Sequence, residues 1–239
     1  MNIYFDIETI PAQKLSDIAL IRQESDKEIA SIKAPSNYKD EVKIAEYIAA
    51  KRVEIEASFD DRYRKTSFDG AMGQIVCISV AFDNSEPINM WTSDFSEKGE
   101  SDLIYSFYDL LILNYNPTNQ QRPVFVGHNI IGFDLRFLFQ RSVMLGIKPP
   151  MMIPFKAKPW DESVFDTMTA WAGVGNRISL AKLCKVFELG EKGCEIGEEI
   201  DGSKVWDFVK AGRIEDVSTY CGGDVVRTRE VYKRLNFIK

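Results

Sequence analysis

The sequence predicts an α/β protein with a mixed sheet, and three observations carry that expectation. Three strand-like stretches, at 2–8, 73–82 and 87–92, precede any regular alternation of element types. From position 101 onwards amphipathic helical stretches alternate with short apolar runs, as in an α/β layer. Of 239 residues, 45% are hydrophobic and 12% aromatic, enough for a sizeable core and far from a disordered composition. Length alone fits one large domain or one domain with an insertion. The texture of the chain favours the second: a single domain over 1–239 with a helical insertion at 12–68.

Taken in order, NIYFDIE (2–8) alternates Ile3, Phe5 and Ile7 with Tyr4, Asp6 and Glu8, which is a strand pattern. From Pro11 to about Tyr63 the chain is charged and Ala-rich. One helix is expected from Ala12 to Ile32, stopped at Ala34-Pro35. A second is expected from Glu41 to Arg62, with SNYKD supplying its turn and cap. Its Ile44, Tyr47, Ile48, Lys51 and Ile55 recur at spacings of three and four, so one stripe can pack. GQIVCISVAF (73–82) and PINMWT (87–92) read as a hairpin turning at DNSE. A helix over 101–115, a short apolar strand at 123–127 and a helix over 133–147 follow. VFDTM (164–168) is a further strand candidate, and helices are expected at 178–189, 203–213 and 214–235.

The net charge of −6 argues against general electrostatic attachment to nucleic acid. Acids dominate before position 111, with 21 against 12 basic residues, whereas 18 basic residues outnumber 15 acids after it. Acids gathered around cations can still handle a polyanion, because bound divalent ions reverse the local sign. Cys77, Cys184, Cys194 and Cys221 make no CxxC pair and read as buried or free thiols in a reducing compartment. No apolar stretch approaches the roughly 20 residues of a membrane span, and the N-terminus lacks a signal pattern. A cytoplasmic location, away from membranes, is expected.

Three short stretches carry chemistry. Asp6 and Glu8 are two apart on a strand, so their side chains leave the same face and can converge on one ion or a pair; a solvated face is the plainer alternative. In VFVGHNIIGFDLRFL an apolar strand ends at Gly127, and Asp134 falls in the first turn of the next helix. There it can serve the helix terminus, or a ligand, since ligands bind at the carboxyl ends of α/β strands. His128, the only histidine, suits packing or hydrogen bonding and rules out any triad needing another histidine. In YCGGDVVRTREVYKRL, Tyr220 and Asp224 are four apart and share a helical face. Gly222 and Gly223 each cost about 1 kcal/mol inside a helix. They imply either a close approach by backbone, ion or substrate, or a helix that begins only at Gly223.

DIET, HNxxxFD and YxxxD, in this order, resemble the DEDD (DnaQ-like) 3′–5′ exonucleases. Tyrosine in place of histidine ahead of the last acid points to the DEDDy branch, which includes the exonuclease domains of family A and family B DNA polymerases. DIETIP, NYKD and GQIVCIS look most like stand-alone predicted exonucleases related to the family B domain.

The resemblance implies a ribonuclease H-like fold with a five-stranded mixed sheet, and two divalent ions, Mg²⁺ or Mn²⁺, held by four carboxylates. Asp6 would bridge both ions, Glu8 and Asp224 would hold the ion that activates water, and Asp134 would help place the other. Tyr220 would position and help deprotonate the water, so the expected catalytic set is Asp6, Glu8, Asp134, Tyr220 and Asp224. Two ions ~3.5–4 Å apart clamp an in-line displacement. Thr9, Asn129 and Phe133 match positions that contact the terminal nucleotides; Phe133 could stack on a base or simply pack. Asp166 reads as structural. Lys156, Lys158, Arg177, Lys182 and Lys185 could meet phosphates. The implied activity is release of nucleoside 5′-monophosphates from 3′ ends of single-stranded DNA. The alternatives are an exoribonuclease of the same fold, or a proofreading or binding subunit acting with a separate polymerase, and a DNA polymerase or another replication or repair protein is a candidate partner. About 60 residues of charged helix separate DxE from the second strand, a departure from the family's minimal pattern that could cover the 3′-end groove or bind a partner.

Overall fold

The computed structural model describes residues 1–119, 122–189 and 196–238; Cys194 lies outside them. Five strands, β1 (Asn2–Ile10), β2 (Gln74–Phe82), β3 (Ile88–Trp91), β4 (Val124–Gly127) and β5 (Val164–Asp166), form one sheet in the order β3-β2-β1-β4-β5. β1 pairs antiparallel with β2 and parallel with β4; β2–β3 is antiparallel and β4–β5 parallel. The helices are α1 (Leu15–Ala30), α2 (Glu41–Ala57), α3 (Phe59–Lys65), α4 (Glu97–Asn114), α5 (Asp134–Met144), α6 (Thr167–Ala172), α7 (Leu180–Val186), α8 (Val205–Lys210) and α9 (Ile214–Leu235). The expected mixed α/β sheet is present, with the acid-bearing strand at its centre.

The alternation along β1 serves both faces of the sheet. Ile3, Phe5 and Ile7 pack with Phe107 and Leu111 of α4 and Phe137 and Leu138 of α5. On the opposite face Tyr4 packs with Val225 of α9, and Ile10 with Phe208 of α8 and Val217 of α9. Burying each of these side chains stabilises the fold by about 1.5–3 kcal/mol, so β1 is held rigidly from both sides. Arg141 of α5 and Glu100 of α4 are 2% and 1% exposed and form a two-pronged ion pair, Nε to Oε1 at 2.8 Å and Nη2 to Oε2 at 2.6 Å. The Ile75 amide donates to Glu100 at 2.9 Å, and Arg141 Nη1 donates to the Gly70 carbonyl at 3.1 Å. This buried polar knot ties α4, α5, β2 and the turn before β2 together.

The arm between β1 and β2 differs from expectation at its joints. Its first helix starts only at Leu15; Ala12 lies before it, fully buried, its amide donating to Thr66 Oγ1 at 2.9 Å. The second breaks at Ser58, whose hydroxyl donates to the Ile55 carbonyl at 2.8 Å, the local competition by which serine disturbs a helix. The stripe on α2 is only half-buried apart from Ile55, which is buried. The arm is fastened to the body through Arg64, which pairs with Asp207 of α8 at 2.7 Å. Among the described residues no helix is long and apolar enough to cross a membrane.

Candidate active site

The site opens where two strands part. β4 pairs with β1 only from Asn2 to Tyr4. Past that point Asp134, the first residue of α5, accepts the Ile7 amide through Oδ1 at 3.2 Å. A carboxylate thus stands where a further β4 residue would have paired, beside the carboxyl ends of parallel strands, where α/β sheets bind ligands. On its other edge β1 shifts register between Glu8, opposite Cys77, and Thr9, opposite Ile75. Val76 is the extra residue of this bulge, a device that re-aims neighbouring side chains.

α9 supplies the last two groups. It runs unbroken through Gly222 and Gly223, so Tyr220 and Asp224 do share a face one turn apart. A Cβ on Gly222 would lie 2.6 Å from Asn89 Oδ1 on β3, so the glycine permits a close helix–sheet approach. Asp6, Glu8, Asp134, Tyr220 and Asp224 all line one pocket of about 190 Å³, whose wall also includes Thr9, Asn129 and Phe133.

Negative charge is crowded here. Ligand atoms of Asp6, Glu8 and Cys221 lie within 4.8 Å of one another. Burial, then the neighbouring Asp6, pushes the Asp134 carboxyl well above the usual carboxylate range. Burial, then Glu8 and Asp224, pushes the Tyr220 phenol up. The Cys221 thiol is raised by burial and then by its hydrogen bond with Cys77; it donates to Asp6 Oδ2 at 3.4 Å. Arg227 Nη1 sits 3.8 Å from Asp224 Oδ1 at the edge of this cluster. Carboxylates converging in a low-dielectric cleft disfavour their own ionised forms, and a cation reverses that balance. The donor set fits a hard divalent ion, since the acids offer oxygen and burial favours the protonated form of the Cys221 sulfur beside them.

The remaining sequence-selected residues divide by what engages them. The Thr9 hydroxyl donates to the Ser67 carbonyl at 2.7 Å, leaving its lone pairs for a ligand. Asn129 adopts a left-handed φ of 62°, its amide donating to Asp166 at 3.0 Å. Its carboxamide folds over Gly132, where a Cβ would come within 2.5 Å of Oδ1. Phe133 is half-buried, its ring centre 5.6 Å from Phe137 and 6.2 Å from Phe68, so it both packs and borders the pocket. Asp166 accepts the amides of Asn129, Ile131, Met168 and Thr169, which fixes the loop after β4 and caps α6. His128 bridges the Thr167 hydroxyl at 3.0 Å and the Ile178 carbonyl at 2.9 Å. Lys156, Lys158, Arg177, Lys182 and Lys185 are exposed and do not line the pocket. Sequence reasoning passed over Phe68, Gly202 and Cys221. The first two come from the arm's end and the loop before α8, and only the position of Cys221, next to Tyr220, offered a signal.

Residues 66–239 match the family described as predicted 3′–5′ exonucleases related to the exonuclease domain of PolB. That stretch holds Asn129, Phe133, Asp134, Tyr220 and Asp224, while Asp6, Glu8 and Thr9 precede it and join the site through the sheet. No curated protein matches the chain significantly. Among solved structures it is similar to the family B DNA polymerase of the hyperthermophilic archaeon Pyrobaculum calidifontis, with a TM-score of 0.58 and 14% identity. The alignment covers 98% of this chain and 24% of the polymerase, so the chain spans about a quarter of that protein's length. At that identity the likeness speaks for the fold alone, which is ribonuclease H-like. With the family matched over well more than half its length, the chain belongs to the predicted 3′–5′ exonucleases related to the exonuclease domain of PolB.

Proposed function

We propose that this protein is a metal-dependent 3′–5′ exonuclease of the DEDDy type that releases nucleoside 5′-monophosphates from single-stranded DNA. The observation that carries this reading is the convergence of four carboxylates and a tyrosine, from three separate parts of the chain, on one pocket. Asp6, Glu8, Asp134 and Asp224 would hold two divalent ions, Mg²⁺ or Mn²⁺. Bound there, such ions supply Lewis-acid charge to the phosphate and lower the pKa of water.

The chain's own groups do the rest. The backbone of β1, packed on both faces, fixes the aim of Asp6 and Glu8. Tyr220, kept as a neutral phenol by burial and the flanking carboxylates, can hold an attacking water by hydrogen bonding and help move its proton toward an adjacent carboxylate. Thr9, Asn129 and Phe133 would seat the terminal nucleotide, Phe133 by stacking, which tolerates any base. The 12–68 arm is proposed as an insertion within this single domain. Action alongside a separate polymerase or repair protein is part of the same proposal.

An end-labelled oligonucleotide assay tests the reading. Single-stranded DNA should shorten from its 3′ end with Mg²⁺ or Mn²⁺ and stay intact in EDTA, and Asp224→Ala should abolish cleavage while leaving the circular dichroism unchanged. Full activity in Asp224→Ala would remove the site assignment, and preferred cleavage of RNA would overturn the choice of substrate.

A further inference from the structure

A second groove opens directly off the carboxylate pocket. The two share Thr9, Ser67, Phe68 and Gly202 as a common wall, and the second continues over Pro11 to Lys65 and Trp206. Phe68 stands on the partition. It is 66% exposed, its ring centre 6.2 Å from that of half-buried Phe133. Isolated exposed hydrophobic residues are ordinary on protein surfaces, but an aromatic ring dividing two adjoining pockets offers a stacking face to each.

The turn that presents Phe68 is held at both ends. The Ser67 carbonyl accepts Thr9 Oγ1, and the Asp69 amide donates to the Thr66 carbonyl at 3.0 Å. Asp69 in turn accepts the Gly73 amide at 2.7 Å, and the Gly70 carbonyl accepts from buried Arg141. Such a platform loses little conformational entropy when a flat group stacks on it. The charges of the groove nearly cancel: Arg64 is committed to Asp60 and Asp207, and Asp61 and exposed Lys65, four apart on α3, both line it. An apolar, aromatic and nearly neutral groove suits a base and sugar better than a run of phosphates.

Resting on the exonuclease reading above, we infer that this groove is a second nucleotide subsite. It seats the nucleotide 5′ to the one being removed, with Phe68 as its stacking platform and the end of the arm as its wall. Phe133, beside Asp134, belongs to the terminal nucleotide; Phe68, one ring further out and shared by both pockets, separates the two bases. The arm thereby acquires a task in substrate binding.

The test compares two substrates in Mn²⁺: a single-stranded oligothymidylate, and thymidine 5′-monophosphate p-nitrophenyl ester, which carries one nucleoside. Phe68→Ala should reduce the ratio of kcat/KM for the oligonucleotide over the ester by on the order of tenfold, the size of one lost base–aromatic stack. Phe68→Trp should keep the ratio near wild type, and Phe68→Leu should behave as Phe68→Ala. An unchanged ratio in Phe68→Ala overturns the inference, as does an equal loss on both substrates, which would put Phe68 in the terminal nucleotide's own seat. Wild-type protein that cleaves neither substrate, or an Asp224→Ala variant that still cleaves them, would instead refute the exonuclease reading itself.

Discussion

Glu100 is 1% exposed and Asp134 2%, and α5 contributes to the surroundings of both, yet their neighbours treat them differently. Glu100 receives two N–H groups from Arg141 and one from Ile75. Asp134 receives the Ile7 amide, but burial and then the neighbouring Asp6 raise its proton affinity. One acid is neutralised inside the fold, and its cost of burial is offset on the spot by a bidentate guanidinium. The other is left with its charge resisted, a condition that a cation would relieve. The difference teaches where the molecule is built for stability and where it is built to receive something.

Removing the neutralising partner should have the largest effect on stability. Arg141→Ala leaves Glu100 buried without its guanidinium and releases the Gly70 carbonyl, and it should cost about 3–5 kcal/mol in urea denaturation. The Glu100→Leu, Arg141→Met pair, which removes both charges, should recover most of that loss. If Arg141→Ala costs less than about 1 kcal/mol, the range of an exposed pair, the contrast with Asp134 has no energetic content.

The opposite substitution should do the opposite to stability. Asp134→Asn keeps an oxygen acceptor for Ile7 and removes the resisted charge, so in EDTA the variant should melt at a higher temperature than wild type. Its activity should fall by more than the roughly 10–100-fold typical of groups that only support a metal ligand. The sign with pH follows from the same shift. A carboxyl raised in the folded state favours its protonated form there, so its stabilising contribution is complete below the ordinary aspartate pKa and is lost as pH rises through the folded value. Metal-free wild type should therefore recover part of its deficit relative to Asp134→Asn as the pH is lowered, and Mg²⁺ at neutral pH should raise the wild-type melting temperature more than that of the variant. A variant that melts lower than wild type in EDTA would show that Asp134 is held as comfortably as Glu100.

How much of this was legible in the sequence differs between the same two regions. The acids of the pocket could be read because period-two spacing fixes Asp6 and Glu8 on one face, and helical spacing aligns Tyr220 with Asp224. Those are local rules. The strand at VFVG and the helix behind it placed Asp134 at a strand's carboxyl end for the same reason. The Glu100–Arg141 pair was invisible, because its partners are 41 residues apart and meet only through packing. Phe68 was equally silent: it lies in a short turn with no periodicity, and its place between two pockets depends on the register of β1 and on the loop before α8. The break at Ser58 was missed because helix propensity is nearly continuous from α2 into α3, and one hydroxyl decided it. Ala12 was read as helical from its own preference, whereas it is buried outside the helix with its amide held by the Thr66 hydroxyl.

The smallest expected effect concerns the glycine pair of the last motif, and it tests how α9 is brought against the sheet. In an exposed helix Gly→Ala gains about 1 kcal/mol. At Gly222 the added methyl would meet Asn89 Oδ1 at 2.6 Å, too close to be kept. Asn89 is exposed and its carboxamide is the movable end of a side chain, so it can swing aside at little cost. Gly222→Ala should thus be within about 1 kcal/mol of wild type, the clash roughly cancelling the gain in helix propensity. Combining it with Asn89→Ala should expose that gain as a net stabilisation of up to about 1 kcal/mol, measured by thermal or urea unfolding. A loss well beyond 1 kcal/mol in the double variant would mean that the backbone of α9, not the side chain of β3, sets the approach. Tyr220 and Asp224 would then depend on Gly222 for their position over β1, and nuclease activity should fall along with stability.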